Sequence, residues 1–243
     1  TVSRHDLIAG AAERMNAWLE LITDTAMLTE QELGSIPAWW TELAGLEGAA
    51  AVQRTVQQWN TDLNPPLLPG FVQVLADRGI DVALVWADSA EHTGLALLYA
   101  LEYPSVSVRY ICGLPPVATV SAPAAALPAD FARFYTTMHA GMYFELHVPH
   151  AVIKPTDLGN WCWREVYPED ELAFIDKPPA VQPNPDTLYV VYNDCGGAMI
   201  LADTAPTTTA VWATEVGMLN DQSYRLTSTW ELLDDWIAGY FTP

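Results

Sequence analysis

Residues 126–144 read ALPADFARFYTTMHAGMYF, and this stretch decides how the second half of the chain is interpreted. Proline is well tolerated in the first turn of a helix, because its missing N–H would have no intrahelical partner there. Phe131, Phe134, Tyr135 and Met138 then recur at the spacing of one helix face. The stretch therefore predicts an amphipathic helix that packs through a stripe of aromatic and apolar side chains.

Strand-like segments follow this predicted helix. They lie at 143–148, 187–192, 197–202 and 208–214. Residues 193–197 separate the second strand from the third and contain Asn, Asp and Gly, which tolerate the positive φ angles of hairpin turns. The closing stretch TSTWELLDDWIAGYF predicts a last helix, with Ser228 and Glu231 in a capping-box pattern. This second part therefore predicts a mixed, mostly antiparallel sheet flanked by helices, which is an α+β fold.

The first part of the chain has mainly helical spacing. Helices are predicted at 4–23, 29–45 and 48–60, and a further helix from the NPPLLPG breaker at 64–70 to Gly79. Thr29 and Glu32 fit a capping box at the start of the second of these helices.

A strand–helix–strand unit is predicted next. DVALVWA at 81–87 is a short Val-rich run, HTGLALLYALEY at 92–103 has the composition of a helix, and SVSVRYIC at 105–112 alternates like a strand. A segment rich in Ala and Pro follows at 113–128. We place a boundary there, between a mainly helical region at 1–115 and an α+β domain at 116–243.

The charge balance restricts the classes of partner. The chain of 243 residues carries 30 Asp and Glu against 10 Lys and Arg, a formal net charge of −20. Residues 1–115 contain 14 of the acidic residues and residues 116–243 contain 16, so the charge is spread and does not form a tail. Such a surface repels nucleic acid and anionic lipid, and it attracts a basic protein. Solubility alone is the alternative explanation of this charge.

Cysteine usage and hydropathy indicate the compartment. Cys112, Cys162 and Cys195 fit no metal or redox spacing, and their odd number without a signal peptide favours a reducing compartment. The longest apolar run is too short and too interrupted to span a bilayer. We therefore expect a cytoplasmic protein, as a monomer or homodimer, with no membrane partner.

The second part resembles the SUKH superfamily, the SMI1/KNR4-type domains. The resemblance rests on the Leu-Pro-x-Asp-aromatic helix start, on a Gly-Gly turn before a strand that ends in Asp, and on the Ser/Thr-x-aromatic-Glu-x-Leu helix. Here these positions are Leu127, Pro128, Asp130, Phe131, Phe134, Gly196, Gly197, Asp203 and the stretch TSTWEL. The chain departs from the family at His139-Ala140-Gly141, where members often have Asn-Gly-Gly. No family is identified for residues 1–115.

The resemblance implies a function class. Bacterial SUKH domains are best known as immunity proteins that bind and neutralise toxins, often nucleases or deaminases. The resemblance thus implies a non-catalytic protein without a cofactor, whose partner is a basic cognate toxin. An SMI1/KNR4-type regulatory scaffold is the first alternative.

A stretch of acidic and aromatic residues is the predicted contact surface for the toxin. WREVYPEDELAFID combines carboxylates with large aromatic side chains, which dominate interface energetics. The predicted toxin-binding residues are Trp161, Trp163, Glu165, Tyr167, Glu169, Asp170, Glu171 and Asp176. A solvated acidic loop without a partner is the alternative interpretation of this stretch.

Catalysis is the second alternative. His147 and His150 could share a metal ion in a hydrolase, but Pro149 makes a regular helix improbable there and no third ligand follows at a known spacing. The chain contains no G-x-S-x-G, P-loop or G-x-G-x-x-G motif. We therefore predict neither catalytic residues nor a metal site.

Overall fold

The structure of the protein is a computed structural model that describes residues 2–145, 151–168, 172–194 and 196–243. Within these residues the chain forms helices and strands in an α+β arrangement, as the sequence predicts. The helices are α1 (Arg4–Met15), α2 (Glu30–Gly34), α3 (Ala38–Leu43), α4 (Ala49–Asp62), α5 (Pro69–Arg78), α6 (Ala129–Thr137), α7 (Trp163–Val166) and α8 (Thr229–Tyr240). The strands are β1 (Trp18–Leu21), β2 (Gly79–Asp88), β3 (Thr93–Tyr103), β4 (Ser107–Gly113), β5 (Met142–Phe144), β6 (Leu188–Asn193), β7 (Ala198–Asp203), β8 (Trp212–Glu215) and β9 (Met218–Asp221).

The strands follow one another across the structure in chain order. β1 to β5 form one antiparallel sheet, and β6 to β9 form a second antiparallel sheet. Val152 connects the two sheets, because it pairs with Met142 of β5 and also with Tyr192 of β6. The two sheets therefore continue into each other through a single bridging residue.

The main hydrophobic core lies on one face of the sheets. Helices α3, α4, α5, α6 and α8 pack there around large buried rings, among them Trp40, Trp59, Phe71, Phe134 and Phe241. Successive residues of a strand point to opposite faces, so the alternate residues of β2, β3 and β4 form a second cluster under α1. A third cluster lies between β6–β9 and the segment 161–174. Both faces of both sheets are therefore covered.

The predicted strand–helix–strand unit is wrong in its middle element. Residues 93–103 form β3, which pairs with β2 on one side and β4 on the other. Leu97 and Tyr99 face the main core, while Leu98 and Ala100 face the cluster under α1. A strand buried on both faces is apolar at nearly every position, so it loses the alternation that distinguishes a strand from a buried helix.

Some predicted helix boundaries also differ from the structure. The first helix ends at Met15, because Asn16 takes a left-handed conformation (φ 48°), and the following residues form β1. In place of the predicted helix at 29–45, the structure has two short helices, α2 and α3. Residues 35–37 separate them, and Pro37 is the N-cap of α3. The capping box of Thr29 and Glu32 is confirmed.

The second part of the chain follows the prediction more closely. Helices α6 and α8 lie within the predicted segments, and strands β6, β7 and β8 overlap theirs but each end one residue later; the hairpin between β6 and β7 is confirmed. Strand β9 was not predicted. The predicted strand 143–148 is represented by β5, and residues 146–150 lie outside the described residues.

The two predicted regions, 1–115 and 116–243, contribute to the same core. Trp59 of α4 lies 6.1 Å from Phe134 of α6 between ring centroids, within the largest cluster. Asp234 of α8 accepts the backbone N–H groups of Gly70 (2.7 Å) and Phe71 (2.8 Å), which are among the unpaired donors at the start of α5. A carboxylate from the last helix thus caps a helix of the first region.

None of the helices in the described part of the chain has both the length and the hydropathy needed to cross a membrane.

Candidate functional site

The segment predicted to bind a partner lies across the outer face of the second sheet. Phe174 pairs with Leu219 of β9 in parallel orientation. Leu219 donates its backbone N–H to the carbonyl oxygen of Ala173 (2.8 Å), and Ile175 donates to the carbonyl oxygen of Leu219 (3.0 Å). The segment therefore extends the sheet beyond β9 and covers its apolar side chains.

Trp163 is not available as a contact residue. It is 1% exposed and packs in the third cluster with Leu188 and Val190 of β6. Its ring centroid lies 4.7 Å from that of Tyr167. That Trp163 contacts a toxin stays a prediction, but in the structure this indole covers the apolar outer face of the sheet and is buried. Trp161 and Tyr167 are half-buried and keep an accessible part.

The acidic residues of this segment point to solvent where the structure describes them. Glu165 and Asp176 are exposed, whereas residues 169–171 lie outside the described residues. Asp176 lines a shallow cavity of about 150 Å³ together with Asp221 of β9 and Lys177. The segment thus buries aromatic rings inward and presents carboxylates outward.

A hairpin tip lies directly beside this segment. Glu215 and Met218 pair across β8 and β9, so that Val216 and Gly217 form a two-residue turn. Val216 is 90% exposed, and a Cβ on Gly217 would lie 3.5 Å from the phenolic oxygen of Tyr167. We call residues 215–218 the hairpin tip. Sequence reasoning missed it, because Val-Gly is not a usual turn pair and β9 is only four residues long.

The motifs that carry the family resemblance meet at a second cavity. It has a volume of about 270 Å³ and lies at the starts of α6 and α8. Its lining includes Pro128, Asp130 and Phe131 from the first motif, Asp203 at the end of β7, and Trp230 from the last helix. The rings of Phe131 and Trp230 lie 4.8 Å apart. Residues that are far apart in sequence are thus brought together by the packing of α6 against α8.

The hydrolase alternative depends on residues that the structure does not describe. His147 and His150 lie outside the described residues. Within the described ranges, no group of three or more His, Cys, Asp or Glu side chains could hold a metal ion. Cys162 is buried, with its Sγ 3.3 Å from the carbonyl oxygen of Pro185.

A buried histidine forms the polar centre of the main core. His139 is fully buried, with Nδ1 2.9 Å from the carbonyl oxygen of Leu114 and Nε2 2.6 Å from the hydroxyl of Tyr99. A carbonyl only accepts, so Nδ1 carries the proton, and Nε2 accepts from the Tyr99 hydroxyl. The Tyr99 oxygen accepts in turn from the indole N–H of Trp59 (3.1 Å). Both ring nitrogens of His139 have hydrogen-bond partners, which indicates a structural residue.

We expect His139 to make stability depend on pH. Burial lowers the pKa of His139 to about 4 from its usual 6.5, although the hydrogen bond to Leu114 opposes this shift. The unfolded chain therefore binds more protons between pH 6.5 and pH 4, and this contribution to stability is lost as the pH falls through that range. The expected loss between pH 7 and pH 5 is about 2 kcal/mol.

Urea unfolding of the wild type and of His139→Gln at both pH values measures this loss. The difference in pH dependence between the two proteins isolates the histidine from the many carboxylates, which both proteins share. Equal pH dependence in the two proteins would show that His139 does not titrate as described.

Comparison of the chain with protein-family models, with curated proteins and with solved structures gives no significant match. The resemblance to the SUKH superfamily therefore stays a prediction from the motifs.

Proposed function

We propose that this protein is a non-catalytic immunity protein that binds a basic toxin in the cytoplasm and occludes its functional surface. The observation that carries the proposal is the large excess of carboxylates over basic side chains in this folded chain. The chain has 30 acidic residues against 10 Lys and Arg. Most of the negative charge therefore has no countercharge among the Lys and Arg of the chain itself.

A toxin that acts on nucleic acid supplies the complementary charge. Such a protein must present Lys and Arg to phosphate groups. An inhibitor with a net charge of −20 is attracted to that basic surface, and the attraction accelerates encounter. Binding there would block access of the nucleic acid by direct occlusion.

The motif geometry also supports the proposal. Part of the motif residues on which the SUKH resemblance rests, namely Pro128, Asp130, Phe131, Asp203 and residues 227–230, line one cavity at the starts of α6 and α8. The immunity function itself is the implication of that resemblance and is open to direct test.

The proposed contact surface is the acidic side of the third cluster. It consists of the exposed carboxylates of Glu165 and Asp176 on the segment that covers this cluster and of Glu215 at the hairpin tip. These carboxylates lie on a segment and a hairpin that are held by buried rings, so they are presented by a rigid support.

We expect charge reversal at this surface to weaken toxin binding. The triple variant Glu165→Lys, Asp176→Lys and Glu215→Lys should raise the Kd for the product of the adjacent gene by at least about tenfold, because it replaces attraction by repulsion. All three side chains are exposed, so the fold should be retained. Calorimetric titration of each protein with the purified partner gives the two Kd values.

A matched control changes the net charge by the same amount elsewhere. Glu13, Asp77 and Glu102 are exposed and lie on α1, α5 and β3. Reversal of these three should raise the Kd by less than about threefold, through the overall charge alone. Equal weakening by both triple variants would remove the proposed surface from the interface.

A further inference from the structure

The turn at the hairpin tip has an unusual residue in its first position. Val216 has φ 49° and Gly217 has φ 79°, so both central residues are in the left-handed region. Two-residue hairpin turns of this kind strongly favour Asn-Gly, Asp-Gly or Gly-Gly. A β-branched side chain in the left-handed region is an outlier, because its Cβ crowds the neighbouring backbone.

Burial against the described part of the chain does not offset this strain. Val216 is 90% exposed, which is more than any other large hydrophobic side chain in the described part of the chain. It therefore gains almost nothing from burial. Asparagine at this position would relieve the strain and would be better solvated. Local strain of this kind is often kept where a side chain has a binding role.

The hairpin tip also packs on the side chain of Tyr167. A Cβ on Gly217 would lie 3.5 Å from the phenolic oxygen of Tyr167, so the turn packs closely on that side chain. The Tyr167 ring in turn lies 4.7 Å from the buried ring of Trp163. A side chain on a rigid support binds with little loss of conformational entropy. Val216 is thus presented in a fixed position.

We propose that Val216 is the apolar contact at the centre of the toxin interface, and that it inserts into an apolar recess bordered by basic residues. This inference rests on the proposed function. The charge around the tip indicates the chemistry of the partner, because Glu215 precedes Val216 directly and Glu165 lies on the adjacent α7. Interfaces commonly surround a small apolar centre with polar contacts that exclude water.

The test is Val216→Asn, measured for both stability and binding. The free variant should melt at a higher temperature than the wild type, because Asn-Gly suits the turn. Its Kd for the purified product of the adjacent gene should rise by at least about tenfold, as expected when a central contact is lost. A protein that becomes more stable and binds less well is difficult to explain by misfolding.

Val106→Asn is the matched control. Val106 is also exposed and also lies in a hairpin turn, between β3 and β4 of the first sheet. Its replacement should leave the Kd unchanged within about twofold.

The outcomes separate the two proposals. Wild-type binding together with an unchanged Kd for Val216→Asn would overturn the role of Val216 and leave the immunity function standing. A wild type that does not bind the adjacent gene product would overturn both. A loss of affinity in Val106→Asn equal to that in Val216→Asn would also contradict a specific contact at the tip.

Discussion

Replacing His139 by leucine is expected to lower the free energy of unfolding by about 3 kcal/mol. The substitution leaves the hydroxyl of Tyr99 without its acceptor and the carbonyl oxygen of Leu114 without its donor. Tyr99 and Leu114 are buried, and the His139 ring between them packs against Trp40, Trp59 and other core residues. A buried polar group that loses its partner retains its desolvation penalty, so the cost exceeds that of an average hydrogen bond. Urea unfolding monitored by tryptophan fluorescence measures the change.

A second substitution tests whether this cost comes from the hydrogen-bond network. Tyr99→Phe removes the hydroxyl that His139 accepts from, so it should cost less in the His139→Leu background than in the wild type. An interaction free energy of about 1 kcal/mol or more in this double-mutant cycle would support the network. Simple additivity, or a loss below about 1 kcal/mol for His139→Leu, would contradict it.

Replacing Arg4 by methionine is expected to cost about 3 kcal/mol as well. Arg4 lies 2.9 Å from the carboxylate of Asp81, and both side chains are largely buried. It also donates to the carbonyl oxygens of Leu46 (2.6 Å) and Val82 (3.1 Å). Desolvation already raises the pKa of Asp81, and Arg4 opposes this rise. Without Arg4, a buried carboxylate loses its countercharge while it still accepts from Gly48.

Arg54→Met is the matched control for this prediction. Arg54 forms an ion pair with Glu42 at the surface, where the Glu42 side chain is half exposed. Ion pairs of this kind contribute little, so the expected cost is below about 1 kcal/mol. Chemical unfolding of both variants under the same conditions gives the comparison. Similar costs for Arg4→Met and Arg54→Met would show that the burial of the Arg4–Asp81 pair has no special effect.

The sequence predicts the second part of the chain well because the local signals there agree with the packing. Helix α6 shows a clear aromatic stripe, and α8 is capped by Ser228, whose side chain accepts the N–H of Glu231. The turn after β6 contains the residue types that hairpins need. Asp194 accepts the N–H groups of Gly196 and Ala198, which is the local bonding that its side chain favours in turns.

The sequence predicts the first part less well because tertiary packing removes the local signal. Strand β3 is covered by α4 and α5 on one face and by α1 on the other, so it has no polar alternation. Its Leu and Ala residues also suit a helix, and only pairing with β2 and β4 decides against one. The Ala- and Pro-rich composition predicts a domain boundary near residue 115. The main core nevertheless contains side chains from residues 1–115 and from residues 116–243.

At the candidate site, too, tertiary packing decides features that the local sequence does not reveal. The acidic and aromatic character of 161–176 is visible in the sequence, but the direction of each side chain depends on the apolar sheet face beneath it. Trp163 covers that face, whereas Glu165 points to solvent. The exposure of Val216 follows from a two-residue turn that only the pairing of Glu215 with Met218 defines. No local sequence pattern predicts that turn, so sequence reasoning alone misses it.

The measurement that tests the central claim most directly is calorimetric titration of the wild-type chain with the purified product of the adjacent gene at two salt concentrations. The account predicts one-to-one binding that weakens as salt rises, because a surface with a net charge of −20 binds a basic partner. The same chain should restore growth to cells that express the partner alone. Absence of binding, or binding that neither depends on salt nor protects cells, would contradict the proposal that this is an acidic immunity protein.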